Sequence, residues 1–228
     1  MPLKKKNQTK VYDLKSIEFF LVQIGFLLLM WTIYRSIFSF DVWFDETFGK
    51  AVFYGLPIWV YLSVNKLKAI SDSLAIEKLK KGLMFGLAIG GIFGFTGTIA
   101  AMIIKKGDVA PASTVFLNTQ FWWQFFLAMM TAFWETIFFY SFIMNVLIKK
   151  CKKLSVLSVT MFAAVIFLIF HLPNIILRSP NLSSVTFQIY LMFLFGFGQA
   201  LLFQATRNAY SLIISHAIWG MVMFIHLS

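Results

Sequence analysis

Glu135 lies in the stretch Trp134-Glu135-Thr136-Ile137-Phe138-Phe139-Tyr140-Ser141 and is the only acid inside a strongly apolar segment of the chain. The other eight acids (Asp13, Glu18, Asp41, Asp45, Glu46, Asp72, Glu77 and Asp108) fall in the polar tail, in loops or at segment edges. A carboxylate at bilayer depth costs about 2.5–3.5 kcal/mol on insertion scales, so a chain that keeps one uses it or pairs it. Two histidines also lie inside apolar segments: His171, ending Phe167-Leu168-Ile169-Phe170-His171, and His216, in Ser215-His216-Ala217-Ile218-Trp219-Gly220. A third, His226, sits near the last residue and is expected at the membrane interface. Singly, a histidine in a span more often bonds a neighbouring helix than catalyses. One glutamate and two histidines on three segments can instead hold and polarise a water molecule. The chemistry suggested is hydrolysis within a membrane. There is no His-Glu-x-x-His helix, no Gly-x-Ser-x-Gly elbow and no aspartate pair, which disfavours zincin-type, serine and aspartyl chemistry.

These residues need elements to carry them. The chain has 228 residues, 60% of them hydrophobic and 18% aromatic, with mean hydropathy +0.81. Ordinary soluble domains use roughly 45–50% apolar residues, so the expected fold class is all-α, a polytopic transmembrane helical bundle. About 20 apolar residues are needed per crossing. Seven segments qualify as candidates: 17–39, 51–65, 82–104, 121–148, 155–177, 185–205 and 209–227, the second being short enough to be re-entrant. They are expected to form one membrane domain, 1–228. Glu135 falls near the middle of the fourth, ~20 Å from either end at 1.5 Å per residue. The basic start, Met1 to Lys15, resembles a signal peptide, but the apolar run behind it is too long and no small-residue cleavage site follows.

Net charge is +11. The basic residues come in short clusters between apolar segments, which argues against nucleic acid and for the membrane orientation rule. With the N-terminus inside, inner segments hold fifteen (Lys4, Lys5, Lys6, Lys10, Lys15, Lys66, Lys68, Lys78, Lys80, Lys81, Lys149, Lys150, Lys152, Lys153, Arg207) and outer ones four (Lys50, Lys105, Lys106, Arg178). The expected topology is seven spans with a cytoplasmic N-terminus. The linker 66–81 spaces Leu67, Ile70 and Leu74 helically among lysines, either as an amphipathic helix on an anionic membrane surface or as an ordinary basic loop. Gly82, Gly86, Gly90 and Gly94 line one face of the third span, a pattern that admits a close helix neighbour, expected within the chain rather than from a homodimer. The single cysteine, Cys151, excludes an internal disulfide.

The ordered set of motifs resembles the CPBP family, the CAAX-protease and bacteriocin-processing (Abi) membrane enzymes. That family shows Glu-Glu-x-x-x-Arg, then Phe-x-x-x-His, then His-x-x-x-Asn or Asp on successive spans. Glu135 to Tyr140 resembles the first, Phe167 to His171 is the second intact, and His216 to Gly220 resembles the third. Phe195-Gly196-Phe197-Gly198 through Thr206-Arg207-Asn208-Ala209-Tyr210-Ser211-Leu212 is similar to the family's link before its last histidine. The resemblance covers 121–227, the expected catalytic core. It implies an intramembrane endopeptidase in which Glu135 activates water, His171 helps bind or polarise it and His216 stabilises the oxyanion. The family is also labelled metallo-type. If zinc were bound, Glu135, His171 and His216 would be its ligands, and no carboxylate in the apolar segments would remain as base, which favours a metal-free route.

Three positions depart from the pattern: Thr136 replaces the second glutamate, Tyr140 the arginine and Gly220 the last Asn or Asp. Thr136, Tyr140, Asn174 and Ser215 are the candidates to substitute as hydrogen-bonding groups. The expected substrate is a membrane-associated peptide or protein, and the expected location a bacterial plasma membrane. The departures motivate an alternative: a member that has lost catalysis and acts by binding, in bacteriocin self-immunity or in regulating a membrane partner. A transporter would need several polar groups along a path or paired broken helices, and the sequence offers one cluster and no repeat.

Overall fold

Long apolar runs that must satisfy every backbone N–H and C=O internally become helices. The computed structural model, which describes residues 17–65, 67–104, 120–178 and 181–226, contains seven principal helices and no strand among those residues. They are α1 (Ile17–Ile37), α2 (42–64), α3 (Leu79–Ile104), α4 (Gln120–Lys150), α5 (Val156–Arg178), α6 (Leu182–Thr206) and α7 (Ala209–His226). Six match the expected segments to within three residues. Five helices are long and apolar enough to cross a membrane, with α7 a shorter apolar helix and α2 outside that set.

α2 begins nine residues earlier than expected. Asp41 stands at its N-cap in an extended conformation (φ −57°, ψ 145°), and the helix runs on through two π-helical stretches, Asp45–Gly49 and Ala51–Gly55. Asp45, Glu46 and Lys50 are therefore not loop residues; they sit on a helix, with Asp45 and Lys50 buried. The hydropathy pattern failed here because these charges neutralise one another inside the bundle. Lys50 consequently leaves the outer-loop charge count, which falls from four to three.

The linker also differs from the surface-helix expectation. It forms a short helix, Ala69–Ser73, and a 3₁₀ turn, Ile76–Lys78. Leu67, Ile70 and Ser73 are buried, and Ser73 shares a 2.9 Å hydroxyl hydrogen bond with Ser141 of α4. Leu67 and Ile70 are turned onto the bundle, while Ile76 stays exposed. Lys66 lies outside the described residues.

α4 is the central helix: 67% of its apolar window is buried, against 22–39% for the other four long apolar helices. Its stretch Thr136–Met144 is π-helical and wholly buried, with Glu135 at the junction. Such widened turns occur mostly as local insertions and frequently at functional sites. Around it, Tyr54 of α2 stacks on Phe138 at 4.7 Å, and Phe139 meets Phe167 of α5 edge-on at 5.0 Å.

α3 lies along α7 over its glycine face. A Cβ at Gly82 would come within 2.6 Å of Tyr210, at Gly86 within 2.7 Å of Ile214, and at Gly90 within 2.5 Å of Ile218. The glycine stripe is thus filled from within the chain, as the spacing suggested. At the corner between α6 and α7, Arg207 adopts a left-handed conformation (φ 49°) and caps α6. Its guanidinium donates to Gln204 Oε1 and Asn145 Oδ1, and Lys78 Nζ donates to its carbonyl. This corner sets where α7, and so His216, begins.

Candidate functional site

Three helices bring the motif residues to one point. Glu135 projects from the middle of α4, His171 from α5 and His216 from α7. Glu135 Oε2 lies 3.3 Å from His171 Nε2 and 3.4 Å from His216 Nε2. Glu135 is 2% exposed and His216 5%. Neither imidazole is aligned to donate to Oε2, which has no hydrogen-bond partner.

The orientation of His171 has a cause. Its Nδ1 is 2.7 Å from the carbonyl of Phe167, one turn back in α5. A carbonyl only accepts, so Nδ1 carries the proton, and in the neutral ring Nε2 presents a lone pair to the carboxylate. Phe167 packs on the His171 ring at 4.2 Å, and Trp31 of α1 donates to the carbonyl of Phe170 next door (3.0 Å). His216 is held edge-on to Phe195 of α6 at 4.8 Å, and its Nδ1 is buried without a partner.

The other oxygen of Glu135 is engaged from α2. Lys50 Nζ donates to Glu135 Oε1 at 2.5 Å and pairs with Glu46 Oε2, to which Thr131 Oγ1 also donates at 2.5 Å. Thr131 and Glu135 are four apart on α4, and Glu46 and Lys50 are four apart on α2, so two rungs join the helices on one face. One positive and two negative charges leave this group at −1 with both histidines neutral.

A second ionic group lies alongside. Arg35 of α1 pairs with Asp45, donates from Nε to Asn174 Oδ1 at 2.6 Å and covers the Trp31 ring; Tyr34 donates to Asp45 at 2.5 Å.

A cavity of about 180 Å³ opens among these helices, lined by Glu46, Lys50, Thr131, Glu135, His171, Asn174 and His216 on its polar side. Trp31, Tyr54, Phe170, Met192, Phe195 and Trp219 form its apolar walls, and Gly220 completes it. A Cβ at Gly220 would meet only Ala128, at an ordinary 3.5 Å, so the position where the family carries Asn or Asp has room for a side chain.

Of the seven residues singled out from sequence, Glu135, His171, His216 and Asn174 line this cavity. Thr136, Tyr140 and Ser215 do not. Thr136 Oγ1 is buried without a partner, Tyr140 donates to the carbonyl of Gly196 (3.3 Å), and Ser215 accepts from Gln199 and donates to the carbonyl of Leu212. Glu46, Lys50 and Thr131 were missed. The available signal was the i, i+4 spacing of Glu46 and Lys50, which marks a helix where hydropathy suggested a loop.

A zinc ion at this site would need Glu135, His171 and His216 as ligands. The Lys50 ammonium already occupies Glu135, and a second cation there would meet like charge. Among the described residues no group of three His, Cys, Asp or Glu has metal-ligand geometry. The side chains present do not fit a divalent ion.

The architecture and site define a polytopic helical membrane-type protein with a buried glutamate–histidine centre. Residues 117–222 match the family model described as type II CAAX prenyl endopeptidase Rce1-like. Over that segment, a little under half of the chain, the sequence is similar to the CPBP family of CAAX-type intramembrane proteases. No curated protein and no solved structure matches the chain.

Proposed function

We propose that the chain is an intramembrane endopeptidase that hydrolyses a peptide bond by a metal-free, glutamate-driven route. The observation that carries this is the division of Glu135: Oε1 is bound to Lys50, and Oε2 is buried between two imidazole nitrogens and hydrogen-bonded to neither. With Nδ1 of His171 committed to Phe167, Oε2 and His171 Nε2 are two acceptors facing each other. A water, which has two O–H donors, satisfies both. Glu135 Oε2 takes one proton as the water oxygen bonds to the substrate carbonyl carbon. The oxyanion so formed accepts an N–H from His216 Nε2. The C–N bond then breaks, and the proton held by Glu135 passes to the leaving amine.

The apolar walls suit a membrane-associated peptide whose side chains or lipid tail are apolar. The setting proposed is a bacterial plasma membrane, with the N-terminus cytoplasmic.

The second reading is a member that binds without turnover. It is favoured by Thr136 and Tyr140, which stand at two motif positions yet do not reach the cavity. The deciding experiment reconstitutes wild type and Glu135→Gln in liposomes with a library of membrane-inserted peptides and reads products by mass spectrometry. Cleavage by wild type and none by the variant supports the protease. If folded wild type cleaves nothing while the variant retains function in cells, binding is the role.

A further inference from the structure

Lys50 and Glu46 belong to neither half of any motif in the chain, yet they line the cavity and reach the reacting carboxylate. We infer that Lys50 is the positioning residue of the site: it holds Glu135 so that Oε2 faces the two histidines, and Glu46 and Thr131 hold Lys50 in turn. This rests on the hydrolytic reading above. The geometry is directional. Lys50 Nζ takes Oε1 at 2.5 Å, which fixes the carboxylate plane and leaves Oε2 at 3.3 and 3.4 Å from the imidazoles. Without that contact the Glu135 side chain keeps no hydrogen bond, because Oε2 has none. Lys50 is 5% exposed and rigidly placed, sharing Glu46 Oε2 with the hydroxyl of Thr131. Tyr140 stands where the family pattern has its cation and turns to Gly196 instead. The cation that meets the catalytic carboxylate comes from α2, outside the segment that matches the family.

The test measures kcat and KM for the fastest-cleaved member of the peptide library, with wild type, Lys50→Met, Lys50→Arg and Thr131→Val in liposomes. A misplaced catalytic group costs about 10²-fold, so kcat of Lys50→Met is expected to fall by about that factor with KM within about threefold. Lys50→Arg, which keeps a cation on Oε1, should recover to within about tenfold of wild type, an outcome that a filler of space would not give. Should Lys50→Met fail to fold, Thr131→Val carries the test: it keeps both charges, loosens Glu46, and should lower kcat without moving KM. In parallel, the nitrogen NMR signal of the Lys50 ammonium is read in wild type and in Glu135→Gln, without substrate. The signal should move. An unmoved signal, or Lys50→Met and Thr131→Val at wild-type kcat, overturns the inference and leaves the protease standing. Wild type that cleaves nothing while the signal moves fails the protease reading itself, and the positioning role falls with it.

Discussion

Two ionic groups sit side by side in this bundle, and they are built differently. Around Arg35, one positive charge meets one negative, and Tyr34 and Asn174 complete the ring of contacts. Around Lys50, one positive charge meets two negative, and Glu135 Oε2, His216 Nδ1 and the neighbouring Thr136 Oγ1 have no partner. Buried polar atoms are nearly always paired, so unpaired ones ask for an explanation. The closed group explains itself as a tie between α1, α2 and α5. On the proposed hydrolytic reading, the contact missing at Glu135 Oε2 falls to a guest in the cavity, whereas Thr136 Oγ1 lies outside the cavity lining.

The comparison is broken most directly at Glu135. Glu135→Gln keeps the shape and should reduce cleavage by about 10²–10⁴-fold, the range for loss of a general base. His216→Ala should cost about 10²–10³-fold in kcat if it donates to the oxyanion. Both are read by peptide products in liposomes. In the closed group the effect should fall on folding instead. Arg35→Met strands Asp45, and breaking one side of a buried pair costs about 3–5 kcal/mol. Denaturant unfolding in detergent should show that loss, while the folded fraction keeps its kcat. A large drop in kcat there would erase the distinction between the groups. Gly90→Leu forces a side chain against Ile218 and should destabilise by about 1–3 kcal/mol, read the same way. The smallest change is expected from Thr136→Val. Removing a hydroxyl that has no partner should be nearly neutral for stability and for cleavage, which would retire Thr136 from the site.

Much of this was legible beforehand. Glu135, His171 and His216 stand out because they are polar residues in long apolar runs, and the structure brings both imidazoles within 3.4 Å of Glu135 Oε2. The glycines at four-residue intervals announced a close helix, and Tyr210, Ile214 and Ile218 fill that face. What stayed hidden was α2. Its charges lower the local hydropathy, so 42–50 looked like a loop, and no window average can tell that Lys50 lies opposite Glu135, 85 positions away. Ser215 misled for the converse reason. It adjoins His216 in sequence, but adjacent residues on a helix point about 100° apart, and its hydroxyl bonds Gln199 instead.

The glycine face of α3 has a mechanical consequence. With no side chain between the backbones, α3 and α7 are geared together: turning either about its axis, or sliding it by a turn, drives Ile214 or Ile218 into main chain. His216 rides on that locked pair. The position of His216 is therefore set by the seam between α3 and α7 and cannot shift without unpacking it.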